Sequence, residues 1–469
     1  MKRFVAIGFT ISVTIYAILH FVTYLFPSPI GLYALATSGV AAIIFALLFL
    51  SMRAALIPLF LLAVATVIEM TTGGSIIEFV VYGMLEMRSL IALLLIVPII
   101  GWILREEPYI DAIMDFAKSI LNTGNRFHFG IMLVNQIIAY FLLFGAIPVM
   151  YQFVNDFLKG KKGEAWEYFK GTALLRSFAL TTLWVISIPS FAFAVDHLKA
   201  PLGWTIAQGF IISIGGMILS VLFLIKKEKK YQIVYTEGIQ DELERLAENS
   251  MDPHKRNRLV FEFAFLFVSL FSVIFILHIS LGWELLIIIP PIIVIWTMGY
   301  FLLKRRMASF WSEGKVYFTK EVRLKSQQFG ILLAAGALIF SVNQSGIGDQ
   351  IVNGLFYVEK VVPFVNFLMI LPFVAIFLGF LGLGPLTVIV LVAGILQGVS
   401  LPYPPELVVL SMTSGSVISV VLSPMVIPII ILSATNGLGV IKNGFSFNLS
   451  YSIAFYLLVQ IYIQTMLVL

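Results

Sequence analysis

Runs of roughly 20 apolar residues recur along the whole of this 469-residue chain. Each run is long enough to cross the hydrocarbon core of a bilayer as one helix. The composition agrees, because 60% of the residues are hydrophobic and 12% are charged, whereas ordinary soluble proteins carry about 25% charged residues. The sequence therefore predicts an all-α polytopic membrane protein.

Several functional classes are disfavoured by composition. The net charge of +5 does not predict nucleic-acid binding, because basic residues in a membrane protein mostly mark its cytoplasmic loops. The chain has no cysteine, which excludes disulfides, thiolate metal sites and thiol nucleophiles. Its five histidines are scattered and form no ligand-spaced pair. We therefore expect neither a metal centre nor an enzyme.

Full membrane spans are predicted for eleven stretches: 4–26, 30–50, 54–71, 88–104, 174–196, 204–225, 259–280, 283–303, 327–345, 408–433 and 447–468. Two further apolar stretches, 128–158 and 363–400, contain glycine–proline breaks that read LFGAIP and FLGLGP. With a shift of 237 positions the breaks coincide at Gly145/Gly382 and Pro148/Pro385. Each stretch either crosses the membrane once or enters and returns as a re-entrant hairpin.

The distribution of Lys and Arg favours the hairpins. If both stretches are hairpins and the N-terminus is inside, 27 of the 30 basic residues lie inside, and only Arg88, Lys199 and Lys360 lie outside. If both stretches cross fully, the split becomes 9 inside and 21 outside. We therefore predict about 11 transmembrane helices plus two opposed re-entrant hairpins, in a cell membrane, with the N-terminus cytoplasmic and the C-terminus outside.

This topology forms an inverted repeat. We divide the chain into an extra N-terminal helix, a first repeat half, a cytoplasmic linker and a second repeat half, at 1–29, 30–226, 227–257 and 258–469. Amphipathic helices along the surface are expected at 105–126 and, more weakly, at 348–360, and an exposed helix is expected at 239–249 of the linker. Inverted repeats with broken elements are the geometry of alternating-access carriers.

A broken span is predicted after each hairpin. Residues 177–195 and 416–434 are apolar and membrane-length, with hydroxyls and a proline in the middle. With a shift of 239 positions they match at Ser177/Ser416, Leu183/Leu422, Ile188/Ile427 and Pro189/Pro428. Proline interrupts a helix, and a broken helix in lipid requires protein or a water-filled cavity to satisfy its backbone. These segments are therefore expected to line a binding site or to be ordinary kinked helices.

The candidate site residues come from these broken elements. Half-helix N-termini suit anions and half-helix carbonyls suit Na⁺. The candidate substrate-binding residues are Gly145, Ala146, Pro148, Thr181, Thr182, Ser187, Gly382, Gly384, Pro385, Ser414, Ser416, Ser419 and Ser423. The candidate ligands of a coupling ion are Asn135, Ser190 and Thr387. No catalytic residue is predicted.

These features resemble the ion transporter superfamily, which includes dicarboxylate, citrate and gluconate permeases. The similar segments are LIVPIIGWILREEPYIDAIMDFAKSIL at 95–121, ILLAAGALIFSVNQSGIGDQIVNGLF at 331–356 and FLGFLGLGPLTVIV followed by VISVVLSPMVIPIIIL. The resemblance implies a secondary transporter with an elevator or rocking mechanism, and it suggests a homodimer. The dicarboxylate branch carries Ser-Asn-Thr at each hairpin tip, whereas the tips here read GAIP and GLGP.

The sequence and the resemblance together predict a transporter of a small organic anion, coupled to Na⁺ or H⁺. The only partners expected are this substrate, membrane lipids and a second copy, with no nucleic acid. One alternative is a transporter or flippase of a lipid-like or peptide-like cargo. Others are a membrane-embedded transferase, which the short exterior loops disfavour, and a non-transporting scaffold with a transporter fold.

Overall fold

The computed structural model describes residues 2–117, 121–158, 161–247, 251–362 and 364–469. The first eleven α-helices are α1 Lys2–Leu25, α2 Pro29–Phe49, α3 Met52–Thr72, α4 Ile76–Leu85, α5 Arg88–Ile96, α6 Tyr109–Ala117, α7 Gly124–Leu142, α8 Ala146–Phe157, α9 Glu164–Thr181, α10 Pro189–His197 and α11 Leu202–Tyr231. A 3₁₀ segment, Val97–Arg105, extends α5.

The second eleven are α12 Tyr235–Ala247, α13 Pro253–Leu281, α14 Leu285–Leu303, α15 Met307–Val316, α16 Ser326–Gln344, α17 Ile347–Val361, α18 Phe367–Phe380, α19 Pro385–Leu396, α20 Pro405–Leu422, α21 Ile427–Asn436 and α22 Phe447–Val468. A π-helical turn, Tyr317–Glu321, and a 3₁₀ turn, Val322–Lys325, join α15 to α16. Helices α6, α12 and α17 lie in the three segments where surface or linker helices are expected, and residues 118–120 and 248–250 of those segments lie outside the described part.

The all-α membrane fold is confirmed. Every regular element of the described residues is a helix, and eleven helical stretches are long and apolar enough to cross a membrane. Helix α1 shows why: Ile7, Ile11, Ile15 and Ile18 are about half exposed and recur every three or four residues along one face. Its opposite face packs Phe9 into the interior. An exposed apolar stripe of this kind suits contact with lipid.

Helices α7 and α8 form a helical hairpin. The ring of Phe127, at the start of α7, lies 4.8 Å from that of Phe157, at the end of α8. An unbroken helix would separate these residues by about 45 Å. The stretch 124–157 therefore turns back on itself, although its length and hydropathy alone would also suit a full crossing. Its depth in the bilayer stays a prediction.

Helices α18 and α19 form a second hairpin. The ring of Phe367, at the start of α18, lies 5.9 Å from that of Tyr403, which follows the end of α19 by seven residues. Along α20, Ser411 donates to the carbonyl of Leu368, and Ser423 donates to that of Gly379. These bonds show that α18 runs parallel to α20, so α19 runs antiparallel to both.

The hairpins enter the molecule from opposite ends. The end that holds Phe127 and Phe157 also holds the beginning of α9, because Lys170 donates to Asn155. The end of α21 lies there too, since Asn436 is beside Gly171. The broken elements α9–α10 and α20–α21 are therefore antiparallel. We call the Phe127 end the first end and the Tyr403 end the second end.

Helices from the two predicted repeat halves pack against each other. Helices α1 to α5 pack with α13 to α16, while the hairpins and broken elements pack with α11 and α22. Contacts of α10 with α14, of α16 with α19 and of α7 with the 3₁₀ segment join the two sets. The hairpins and broken elements thus form one set of packed helices, and the boundaries at 29, 226 and 257 stay a prediction.

Candidate functional site between the hairpin tips

The two hairpin tips meet at a cavity of about 440 Å³, which we call the tip cavity. Residues 142–145 of the first tip and 385–386 of the second line it, together with residues of the first broken element. Much of the remaining lining comes from the 3₁₀ segment after α5, the turn before α16 and the start of α16. Its polar members are Arg105, Glu321, Lys325 and Gln328. The two hairpin tips and the first broken element therefore meet a polar wall at this cavity.

The first tip forms because α7 ends in an unusual backbone conformation. Leu143 has φ 51° and ψ −129°; its N–H still donates to the carbonyl of Ala139, but the backbone leaves the helical path at this residue. A positive φ is rare for a residue with a side chain and costs of order 1–3 kcal/mol. Leu143 lines the tip cavity, and strained backbone of this kind concentrates at ligand sites. The strain therefore marks this tip as a functional candidate.

The second tip uses glycine and proline instead. Gly382 has φ 90°, which glycine adopts readily, and α19 begins at Pro385 directly after Gly384. Proline suits the first position of a helix because its missing N–H would have no helical acceptor. The glycine–proline signal at this tip therefore marks a helix start, whereas Pro148 is the third residue of α8.

Two helix N-termini face the tip cavity. Helix α10 begins at Pro189 and α19 at Pro385, and Pro189, Ser190, Pro385 and Leu386 all line the cavity. No side chain caps either helix. The first N–H groups of a helix lack helical acceptors and carry partial positive charge. Both N-termini can therefore donate to an anion in the cavity.

Lys325 adds an amine, cationic when protonated, to the polar wall. Its ammonium donates to the carbonyl of Leu94 at 3.2 Å and to the hydroxyl of Tyr317 at 3.1 Å, both neutral groups. Among the described residues no carboxylate forms an ion pair with it. Arg105 differs, because it pairs with Glu313 at 2.7 Å and with Glu321 at 3.6 Å. Lys325 is thus the cavity cation whose charge an anionic ligand would balance.

The hydroxyls of the first broken element divide between cavity and structure. Thr182 and Ser190 line the cavity, and Thr182 also donates to the carbonyl of Ala179. Thr181 donates to the carbonyl of Phe178. Ser187 donates to the carbonyl of Tyr140 at 2.8 Å and fastens the unwound segment 182–188 to α7. Only two of the four hydroxyls therefore reach the cavity.

The predicted hydroxyls of α20 and its break pack against other helices and do not line the tip cavity. Ser414 donates to the carbonyl of Ser411, and Ser423 to that of Gly379. The hydroxyls of Ser416 and Ser419 are buried and have no partner among the described residues. Only the Ser423 bond joins α20 to α18, because the Ser414 bond lies within α20. The assignment of the four residues to the substrate stays a prediction.

The other predicted site residues are dispersed around the tips. Gly145 and Pro385 line the cavity, whereas Ala146, Pro148, Gly382, Gly384 and Thr387 adjoin it along the chain without lining it. Asn135 is buried and donates to the carbonyl of Leu174 at 3.0 Å and to the hydroxyl of Ser177 at 2.8 Å. Its own carbonyl oxygen has no partner among the described residues. Asn135 therefore joins α7 to α9 at some distance along the hairpin from its tip.

Sequence reasoning missed the polar wall. Arg105 and Lys325 were counted with the cytoplasmic loops because each lies just beyond the inner end of a predicted span. The signal that could have found them is their shared side of the membrane, because both lie at the inner end of a predicted span, 88–104 or 327–345. Since hairpin 128–158 enters from the same end, its tip could have been expected near both.

Comparison with known proteins adds no family to this description. No protein family model and no curated sequence matches the chain. Among the described residues no group of three or more His, Asp or Glu side chains is placed to hold a metal ion. The tip cavity and its chemistry are therefore the features that bear on function.

Proposed function

We propose that the protein is a secondary-active transporter of a small organic anion. The observation that carries the proposal is the tip cavity, where two opposed hairpins, two uncapped helix N-termini and the unpaired Lys325 converge. A volume of about 440 Å³ lies in the usual range for small-molecule sites. A carboxylate or phosphate would replace the neutral acceptors of Lys325 and receive backbone N–H bonds at the same time.

The opposed directions of the two hairpins support transport as the function. Because the hairpins point at each other from opposite ends, movement of one opens the cavity to one end only. Alternating access needs this property. Na⁺ or H⁺ would supply the driving force, with broken-helix carbonyls and hydroxyls such as that of Ser190 as candidate ligands. The positive-inside distribution supports a cell-membrane protein whose first end faces the cytoplasm, and the resemblance to ion transporters supports a homodimer.

The direct test is binding and uptake by the purified full-length protein. A panel of mono-, di- and tricarboxylates and organic phosphates is screened by thermal shift with and without Na⁺, because a ligand stabilises the native state by mass action. Hits are then tested for uptake into proteoliposomes under Na⁺ and proton gradients. If no anion raises the melting temperature and none is taken up, the proposal fails.

Variants of Lys325 test whether the anion binds in the tip cavity. Lys325→Gln removes the charge, and we expect at least a tenfold loss of anion affinity, about 1.4 kcal/mol. Lys325→Arg keeps the charge and should retain part of the affinity. The matched control is Lys320→Gln, because Lys320 is exposed on the turn before α16 and does not line the cavity. Equal losses in both Gln variants would contradict a site at the tips.

A lipid-like cargo remains the second candidate because of one further cavity. A space of about 480 Å³ between α3, α16, α17 and the second hairpin is lined only by apolar side chains and reaches Leu381 and Leu383 at the tip. Its walls suit an acyl chain. Uptake or flipping of a fluorescent phospholipid, with no response to soluble anions, would favour this candidate over the organic anion.

A further inference from the structure

A separate polar cavity of about 750 Å³ opens at the second end of the molecule. Its lining includes His197 at the end of α10 and Gln397 just after α19, and both also adjoin Tyr403 in a smaller neighbouring space. The tip cavity shares no lining residue with it. We call it the end cavity, and the proposed anion site does not account for it.

The charges of the end cavity differ from those of the tip cavity. Two basic side chains, Arg88 and Lys199, and three acidic ones, Glu86, Asp196 and Glu284, line it, so its formal charge is −1. The tip cavity has two basic side chains and one acidic side chain, a formal charge of +1. A purely anionic ligand is therefore disfavoured at the second end.

Three of these charges are already used by the fold. Asp196 accepts from the backbone N–H groups of Leu285 at 3.1 Å and Leu286 at 2.9 Å, at the N-terminus of α14. Lys199 forms an ion pair with Glu284 at 3.3 Å. These contacts join the end of the first broken element to α14. The side chains of Asp196, Lys199 and Glu284 could bind a ligand only if these contacts with α14 were broken.

Glu86 and Arg88 are not used in this way. They flank Met87 at the junction of α4 and α5. The Glu86 N–H donates to the carbonyl of Tyr82, but among the described residues neither side chain has a hydrogen-bond partner or an oppositely charged group within 4.0 Å, although the two charges attract each other at longer range. Near them lies His20, which is 2% exposed and lines the same cavity. Neither ring nitrogen of His20 has a hydrogen-bond partner in the described part of the chain. A buried polar group without a partner is costly, so a ligand that bonds to this imidazole would remove that cost.

Four aromatic rings also line the end cavity, beside aliphatic residues such as Leu32 and Ile287. Tyr24 and Trp283 lie edge to face at 6.1 Å, and Tyr82 and Phe340 are stacked at 5.9 Å. All four rings line the end cavity. Aromatic faces hold apolar groups and attract ammonium groups. The cavity thus offers one guanidinium, one carboxylate, an unsatisfied imidazole and an aromatic surface.

We propose that the end cavity binds a small zwitterion that carries a protonated amine, a carboxylate and an apolar or aromatic side group. The carboxylate pairs with the Arg88 guanidinium, which can donate two parallel bonds. The amine pairs with Glu86, and His20 bonds to either group. The aromatic rings hold the side group. Such a ligand satisfies both free charges without adding net charge.

Three probes of one shape test the charge requirement. Phenylalanine carries both charges, 3-phenylpropanoate only the carboxylate and 2-phenylethylamine only the amine. Binding to the purified full-length protein is measured by titration calorimetry and thermal shift. We expect phenylalanine to bind at least tenfold more tightly than either analogue. Equal affinities for the three probes, or binding of none, would overturn the proposal.

Single substitutions then assign the two charges. Glu86→Gln should weaken the binding of phenylalanine at least tenfold and leave the affinity for 3-phenylpropanoate unchanged. Arg88→Gln should weaken the binding of phenylalanine and leave the affinity for 2-phenylethylamine unchanged. Glu86→Asp should restore part of the affinity. This comparison of probes within one variant separates loss of a contact from loss of fold. Retention of full phenylalanine affinity in both Gln variants would refute the assignment.

Control variants place the site. Glu78→Gln and Arg53→Gln change exposed residues of the same charges outside the cavity, and neither should alter the affinity for phenylalanine. Lys325→Gln, in the tip cavity, should also leave it unchanged. Loss of phenylalanine binding in Lys325→Gln would show that phenylalanine binds in the tip cavity and would overturn the proposal. Failure of the organic-anion function would leave this result intact.

Discussion

In the first hairpin, side-chain hydrogen bonds fasten α7 to the first broken element, whereas in the second hairpin close glycine contacts bring α18 against α20. Asn135 and Ser187 make the bonds of the first hairpin. In the second, Gly415 lies against the backbone of Pro372 and Gly379 lies against Ser419. Two hydroxyl bonds from α20 add to these contacts.

The difference shows that one topology can be held by two kinds of interaction. Helices in lipid associate through close packing of small residues or through interhelical hydrogen bonds, because apolar side chains gain little from leaving an apolar solvent. The second hairpin is held mainly by close packing of small residues. The first hairpin is held mainly by interhelical hydrogen bonds. Substitutions should therefore have unequal effects at comparable positions.

The largest effect is expected for Gly415→Ala. The new Cβ would overlap the carbonyl oxygen of Pro372 and approach its Cα to 2.7 Å, so α18 and α20 must separate. We expect a loss of about 3 kcal/mol in the free energy of unfolding, measured by detergent denaturation of the purified protein. The control is Gly299→Ala in α14, where a Cβ meets nothing within 4 Å. Equal stability of the two variants would show that the glycine contact is unimportant.

A smaller loss is expected for Asn135→Ala in the first hairpin. The substitution removes two interhelical hydrogen bonds from a buried position. We expect a loss of about 2 kcal/mol, measured by the same denaturation. Asn155→Ala, at the exposed base of the hairpin, removes only its bond to Lys170 and serves for comparison. A neutral effect of Asn135→Ala would mean that packing, not hydrogen bonding, holds α7 to α9.

At the second tip, Gly382→Ala should cost about 1 kcal/mol, because φ is 90° and a side chain there is strained. The space itself is open, since the nearest atom to a new Cβ is 3.7 Å away. The free energy of unfolding measures the cost. Gly382→Asn should cost less, because asparagine tolerates positive φ better than alanine. The reverse order would exclude backbone strain as the cause.

The smallest effect is expected for Gly145→Ala at the first tip. Its φ is −64°, and a new Cβ would approach no atom closer than 3.6 Å. We expect a change within about 0.5 kcal/mol, measured as for Gly382→Ala. A loss as large as that of Gly382→Ala would mean that the two tips share a requirement for glycine, and the contrast between the hairpins would no longer hold.

Much of the fold could be predicted because breaks in apolar segments have local causes. Pro189 and Pro385 each begin a helix, and Pro428 is the second residue of α21, as expected from a residue that lacks an N–H and fixes φ. The all-α membrane class follows from the length and hydropathy of the apolar runs, although the eleven membrane-length helices include the hairpin stretch 124–157 and not the predicted span 174–196. Neither inference needs knowledge of tertiary contacts.

The site could be predicted only in part because its wall comes from distant segments. Thr182 and Ser190 face the cavity while Ser187 bonds to α7, and the unwound segment between them removes the periodicity that would have separated these roles. The strain at Leu143 has no sequence signal, since neither glycine nor asparagine occupies the position. Lys325 was classed with loop charges because spacing cannot show that it reaches the tips.

The shortness of α8 has a consequence for biogenesis. Its 12 residues extend about 18 Å, whereas the hydrocarbon core is about 30 Å thick. If the hairpin enters the bilayer as predicted, the translocon cannot release α8 into lipid as an independent segment, because the interrupted backbone at the tip would be costly there. The first hairpin can pack against α9 only after the ribosome has synthesised α9. Nascent chains arrested before α9 should accordingly be targets for membrane proteases.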